Sequence, residues 1–331
     1  MLNHRPLYRV VVREALTTAW RLRRFWPFAI LAAMLQTGGV LDMVLITYRE
    51  FTAKSPVLFS GAWVNSFSAS HVARGFHSLS EILGTLGLVQ AAVLSSLLVG
   101  VFLACSVVAQ GALVFGINGT IRGRIPSFRE CLTIGARFFP RVAILNILTL
   151  GLLWIVRFGL LLALAATIQH HTYLNMVLAF VASLVFIATA ITLTAMHVFC
   201  INALIFDDLS LAKSIEDALV IVRKGWLVLL ETSILMLAVG FGILLVTSLV
   251  FAIASIPLWM LMVSSFFISA STPFFLVTAL QAVLLVCVLF VSAAFTVTFQ
   301  YDTWSQLFTH IDEHGAQSKL HRLYYWIAGT R

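Results

Sequence analysis

The chain has 331 residues, 61% hydrophobic and only 10% charged, with a mean hydropathy of +1.02. A soluble domain is nearer a quarter charged, so charge this sparse cannot cover a water-facing surface, and a water-soluble protein is excluded. The net charge of +8 fits basic loops against anionic lipid headgroups. No soluble basic domain is present that would bind nucleic acid.

In chain order, the first predicted element is an amphipathic helix. At 100° per residue, Arg5, Arg9, Arg13, Arg21 and Arg24 share one arc, and Leu7, Val11, Val12, Ala15, Ala19 and Leu22 oppose it. Val10 and Trp20 break the pattern. A basic face and an apolar face predict a helix in the headgroup plane. Residues 25–47 are expected to be a first, uncleaved span, because no small-x-small site follows the apolar stretch. Residues 82–118 carry no charge and are longer than a bilayer core requires. They must protrude, tilt or break, with Gly84, Gly87, Gly100 and Gly111 available for a break.

A basic segment follows, with the capping-box sequence Ser127-Phe128-Arg129-Glu130. The third span is expected over residues 142–168 and the fourth over 173–206, joined by a short turn at His170-His171. Ser214 precedes Asp217 at the capping-box spacing. The fifth span is expected over residues 226–254 and the sixth over 273–300, with 311–331 as a tail. Between the last two spans, residues 255–272 are uncharged, bounded by Pro257 and Pro273, and rich in serine. They read as an interfacial or re-entrant segment, with a seventh span as the alternative.

Three stretches repeat one pattern: Arg13-Glu14-Ala15-Leu16 with Arg21, Arg129-Glu130-Cys131-Leu132 with Arg137, and Glu216-Asp217-Ala218-Leu219 with Lys224. Each precedes an odd-numbered span. The expected fold is therefore all-α: a polytopic membrane protein of six transmembrane helices, as three repeats of an amphipathic in-plane helix plus a helical hairpin. The repeat units are residues 6–118, 119–206 and 207–310 of one membrane domain. With the N-terminus inside, 17 of the 21 Lys and Arg fall on the inner side and three outside. This places both termini in the cytoplasm.

The stretch from Asp207-Asp208-Leu209-Ser210-Leu211 through Asp217-Ala218-Leu219 to Lys224-Gly225-Trp226 carries a family resemblance, as does Gly123-Arg124-Ile125-Pro126-Ser127 through Glu130 and Leu132. The chain resembles the six-span membrane domain found fused to bacterial glycerophosphodiester phosphodiesterases, and its stand-alone relatives. That resemblance implies a fold and a bacterial inner-membrane location. It brings no catalytic residues, and no soluble stretch here is long enough for the phosphodiesterase barrel. The outer loop over residues 48–80 departs from the pattern.

Among chemistry-bearing residues, Arg157 stands inside a span, where a charge costs roughly 2.5–3.5 kcal/mol. It reads either as a site for an anionic ligand, or as a group paired with Glu231 or a carbonyl or snorkelling outward. Glu231 is either an interfacial carboxylate or a coupling group for protons or cations. Gln110 and His197 each lie 20 residues before the acid of the next unit, and Gln300 is a third candidate for the same depth. They read as a polar ring or as interhelical hydrogen bonds. Arg9, Arg13, Arg24, Arg137 and Lys224 are the expected headgroup contacts.

His310-Ile311-Asp312-Glu313-His314 matches an inverted zinc motif, but only 17 residues follow for a third ligand. The four cysteines lack metal spacing and read as packing residues. No nucleotide or hydrolase fingerprint is present. The expectation is a non-enzymatic protein without metal or cofactor, whose partners are membrane lipids. It would handle a lipid or amphiphile or act as a scaffold, with a secondary transporter using Arg157, Gln110, His197 and Glu231 as the alternative.

Overall fold

The computed structural model describes residues 7–35, 69–168, 173–267 and 271–314. Among these there are helices and no strands: α1 (Leu7–Arg21), a 3-10 turn (Arg23–Phe25), α2 (Trp26–Met34), α3 (Ala69–Ile121), α4 (Phe128–Arg137), α5 (Phe139–Ile168), α6 (Tyr173–Phe206), α7 (Leu211–Phe267) and α8 (Ser271–His314). Five stretches are long and apolar enough to cross a membrane: Val89–Ile121, Phe139–Leu160, Phe180–Phe206, Leu211–Ser264 and Leu276–Ile311. This is the make-up of a multi-pass membrane protein. The expected first span falls largely outside the described residues, as do the His170-His171 turn and most of the 48–80 loop. The end of that loop is helical, because α3 begins at Ala69.

Several boundaries differ from expectation. The third amphipathic helix is not a separate element: α7 runs unbroken through 57 residues, roughly 85 Å at 1.5 Å per residue. Nor do residues 255–267 form a re-entrant segment, since α7 continues past Pro257. Proline removes one helix hydrogen bond, and the helix absorbs that loss instead of breaking. Likewise α3 passes without a break through Gly84, Gly87, Gly100 and Gly111. Intrahelical bonding is the only way to satisfy the backbone in hydrocarbon, so glycine and proline there do not end the helix.

The first two amphipathic helices, here called feet, do end before the helices that follow them, for a reason visible in the residues. Arg24-Phe25-Trp26-Pro27 and Arg137-Phe138-Phe139-Pro140 place proline second in α2 and second in α5. Proline suits a helix start, and its ring clashes with the carbonyl four residues back, so the preceding helix must end. The third copy reads Lys224-Gly225-Trp226-Leu227, has no proline, and stays helical.

Packing divides the chain into two compact units. One contains α1, α2, α3 from Ala109, α4 to Ala136, α7 from Lys224, and α8. In it α1 and α2 both lie on α8. The face of α1 that is closed off is the apolar arc: Val11, Val12, Ala15, Ala19 and Leu22 are buried, with Ala15 and Ala19 at 0% exposure. Small residues let helix backbones approach closely. The apolar face of α1 is thus covered by protein rather than turned into the bilayer. Trp20, which broke the sequence pattern, stands 60% exposed on the other side.

The other unit contains α3 to Val108, α5, α6, and α7 to Arg223. Its centre is the α5–α6 hairpin. Val142, Leu145, Asn146, Thr149, Leu153 and Leu160 mark one stripe of α5 at helical spacing. Leu153 and Leu160 meet Phe186 and Ala190 of α6.

The reversal after α3 is set by Gly123, whose φ is +77°. Its N–H donates to the Thr120 carbonyl at 3.0 Å, and the Arg124 N–H donates to the Gly119 carbonyl at 2.8 Å. This is a Schellman closure, which requires a left-handed residue that glycine adopts without strain. Asp208, with φ +44°, occupies the left-handed position after α6. Gly119 is fixed by contact rather than by torsion. A Cβ there would meet Pro126 Cδ at 2.8 Å and the Arg124 carbonyl at 3.0 Å. Gly119→Ala is expected to cost about 1–3 kcal/mol by overpacking. A melting temperature in detergent unchanged from wild type would show that the 123–127 turn yields instead.

Candidate functional site

The feet are built differently. In α4 the Ser127 Oγ accepts from the Glu130 N–H at 3.2 Å, the N-cap half of the expected capping box. The Glu130 carboxylate does not reach back to complete the box, and instead accepts from Arg124 at 2.9 Å. In the third foot Ser214 is no cap. It lies buried inside α7, donating its hydroxyl to the Ser210 carbonyl at 3.0 Å.

Both proline elbows carry the same cation–π contact. The Arg24 guanidinium lies 4.8 Å from the Phe25 ring centre, and that of Arg137 lies 5.4 Å from the Phe138 ring centre. Phe25 and Phe138 are both buried. Phe25 lies against Gly116, where a Cβ would approach its ring to 3.2 Å. Arg24 also donates to the Pro126 carbonyl at 3.2 Å, and Phe28 stacks on Phe128 at 4.2 Å, so α2 and the start of α4 are tied together. Arg141 and Arg137 share Asp208, at 2.9 and 3.4 Å. These pairs are about half exposed and contribute little stability. Cys131, buried beside Gly116, has its thiol pushed up to about 11, first by burial and then by the neighbouring Glu130.

Of the expected headgroup residues, Arg13, Arg24, Arg137 and Lys224 are exposed, and the Arg9 side chain lies outside the described residues. Arg24 and Arg137 are engaged by the contacts above. Gln110 and Glu231 belong to one compact unit, Arg157 and His197 to the other. Gln110, fully buried, donates to the Tyr301 hydroxyl. The Nδ1 of His197 lies 3.0 Å from the Thr149 hydroxyl. Arg157 lies over the Trp154 ring at 5.4 Å, inside α5. Glu231 is half-buried in α7.

A repeated motif went unread in the sequence. Phe115-Gly116-Ile117-Asn118-Gly119 and Phe199-Cys200-Ile201-Asn202-Ala203 lie near the ends of α3 and α6, and Phe299-Gln300-Tyr301-Asp302-Thr303 lies inside α8. Asn118, Asn202 and Asp302 are all buried. The two asparagines donate to carbonyls one turn back, Val114 at 3.2 Å and Val198 at 2.9 Å. The signal was a Phe three residues before a buried Asn or Asp, masked by the apolar run around it. The third copy substitutes a carboxylate. One Asp302 oxygen accepts from the Gln306 amide at 3.1 Å, and Thr18 and Glu14 of α1 lie beside it.

A shallow, open depression of about 680 Å³ lies at the bend between α1 and the 3-10 turn, lined by Leu16, Thr17, Trp20, Arg21 and Arg23. The Trp20 ring meets Trp26 edge-on at 5.7 Å and Phe295 at 6.4 Å. The Trp26 Nε1–H donates to the Ala19 carbonyl at 3.1 Å. Neither Trp20 nor its arginine neighbours was among the expected site residues. The anomaly of a Trp on the basic arc was the available signal.

No family model, curated protein or solved structure matches this chain.

Two predictions follow from these groups. Asp302→Asn keeps the Gln306 contact and removes a buried charge, so the variant is expected to melt at or above the wild-type temperature. A fall of several degrees would mean that the fold needs the charge. Cys131 at pH 8 holds only about one thiolate in a thousand. Maleimide labelling mapped by peptide mass spectrometry should be slow at pH 8 in the folded protein, faster as pH rises toward 11, and rapid in denaturant. Fast native labelling at pH 8 would contradict the buried placement.

Proposed function

We propose that the chain is a bacterial inner-membrane protein that handles a lipid or other amphiphile, or acts as a scaffold at the inner leaflet, without catalysing a reaction. In this reading it has six spans in three repeated units, with both termini in the cytoplasm. It is a relative of the membrane domain fused to glycerophosphodiester phosphodiesterases.

The observation that carries this reading is how charge and apolar surface are apportioned along the helices. The beginning of the described span of α3 is exposed apolar surface, with Val93, Leu94, Leu97 and Leu98 each above 60%. Leu245 and Met260 in α7, and Leu276 and Val283 in α8, are exposed likewise. Apolar surface this extensive is stable only against hydrocarbon. The basic residues sit instead on the feet and their turns: Arg13, Arg21, Arg23, Arg24, Arg122, Arg124, Arg129 and Arg137 are all exposed. Arginines near an anionic leaflet each contribute about 1 kcal/mol of attraction. The buried Phe-x-x-Asn/Asp triplet supports three units, and the two proline elbows support the first two. Gln110 and His197, which a solute site would use, are occupied by Tyr301 and Thr149.

Reporter fusions test the topology. A C-terminal fusion is expected to be active only with a cytoplasmic reporter, and activity with a periplasmic one would refute six spans. Native mass spectrometry of the protein extracted from membranes tests the lipid reading. Anionic phospholipid is expected to be enriched over zwitterionic lipid, and a bound-lipid profile equal to that of the bulk membrane would refute it.

A further inference from the structure

We propose that the depression at the end of α1 is a headgroup site, in which Arg21 and Arg23 hold the phosphate of an anionic phospholipid and Trp20 holds its glycerol ester region. This rests on the lipid reading above and assigns it one site. Three observations meet here.

First, the two arginines are unlike Arg24. Arg24 is spent on Phe25 and the Pro126 carbonyl. Arg21 and Arg23 are exposed, line the same depression, and make no ion pair among the described residues. Two guanidinium forks on one concave surface match phosphate oxygens, which favour bidentate, charge-assisted hydrogen bonds.

Second, Trp20 supplies the amphipathic part. Its ring is 60% exposed yet braced edge-on by Trp26 and Phe295, which fixes its position. The Trp26 indole N–H is committed to Ala19, whereas that of Trp20 has no acceptor among the described residues. An indole with a wet N–H and an apolar body settles at the level of the lipid esters.

Third, the floor is rigid. Ala19 and Leu22, on the far side of the same turn, are buried, and the Leu22 N–H closes on the Thr18 carbonyl at 2.8 Å. The arginines therefore project from a fixed helix end, whose terminal carbonyls also favour cations. That dipole effect alone would account for one basic residue here. It does not account for two lining one depression with an exposed Trp.

The test uses the full-length protein in detergent, titrated with phosphatidylglycerol or phosphatidylcholine and read by native mass spectrometry. Arg21→Gln/Arg23→Gln is expected to weaken phosphatidylglycerol binding by about tenfold or more. Lys213→Gln/Arg223→Gln removes the same charge elsewhere, at exposed positions outside the depression, and is expected to shift binding by less than about twofold. Arg21→Lys/Arg23→Lys should fall between, because a point charge lacks the fork. Unchanged binding in the Arg21/Arg23 double variant, with wild type still preferring phosphatidylglycerol, would overturn the site and leave the lipid reading standing. Wild type with no preference between the two lipids would overturn both. Inorganic phosphate displacing the bound lipid at comparable concentration would make the ligand a free anion and overturn the headgroup assignment. Both glutamine changes are at exposed positions, and an unchanged melting temperature confirms that folding is intact.

Discussion

Hydrocarbon offers a backbone amide no water, so each polar group must find its partner within the protein. The long helices follow from this, and so does a smaller device used repeatedly along them. Ser106 donates to Phe102, Asn118 to Val114, Asn146 to Val142, Thr194 to Ala190, Asn202 to Val198, Ser233 to Leu229 and Thr298 to Ala294, each four residues back. In each case a side-chain donor bonds within its own helix. Contacts between helices can then be made by shape. Among the described residues, Gln110 with Tyr301 and Thr149 with His197 are buried polar pairs that join two helices, and Thr247 with Ser292 is a part-buried one.

Packing follows the same economy. No hydrophobic force draws helices together in lipid, so close contact depends on fit. Ala15 and Ala19 bring α1 down on α8, and Gly116 makes room for Phe25 and Cys131. Gly225 makes room for Ile311, whose Cδ1 would lie 3.0 Å from a Cβ at that position. The basic residues around these contacts remain at the surface. Burial and charge are thus separated residue by residue on the feet: Leu22 and Phe25 inward, Arg21, Arg23 and Arg24 outward.

Composition made the membrane class legible, and the apolar runs placed α5 and α6 almost to the residue, because length and lack of charge are sufficient for a span. The buried arc of α1 was likewise readable from its angular pattern. Less legible was where helices stop. Pro257 looked like a boundary and is interior, while Pro27 and Pro140 are real boundaries because an aromatic elbow precedes each. The Phe-x-x-Asn/Asp pattern was illegible for a different reason, since each instance is embedded in an apolar run. Trp20 was noticed only as an exception to a pattern, since an angular plot has no way to show that the exposed ring is braced.

The unbroken α7 has a consequence of its own. At Pro27 and Pro140 the helix ends and restarts, so the rotational phase of a foot is independent of the span beyond it. In α7 the phase is carried without interruption from Leu211 to Phe267. One inserted residue in its first turns would rotate everything upstream of it by about 100° relative to Trp226, Thr232 and the apolar run beyond. The first two feet can vary in length without disturbing their spans. The third is geared to its span, and its sequence must keep step.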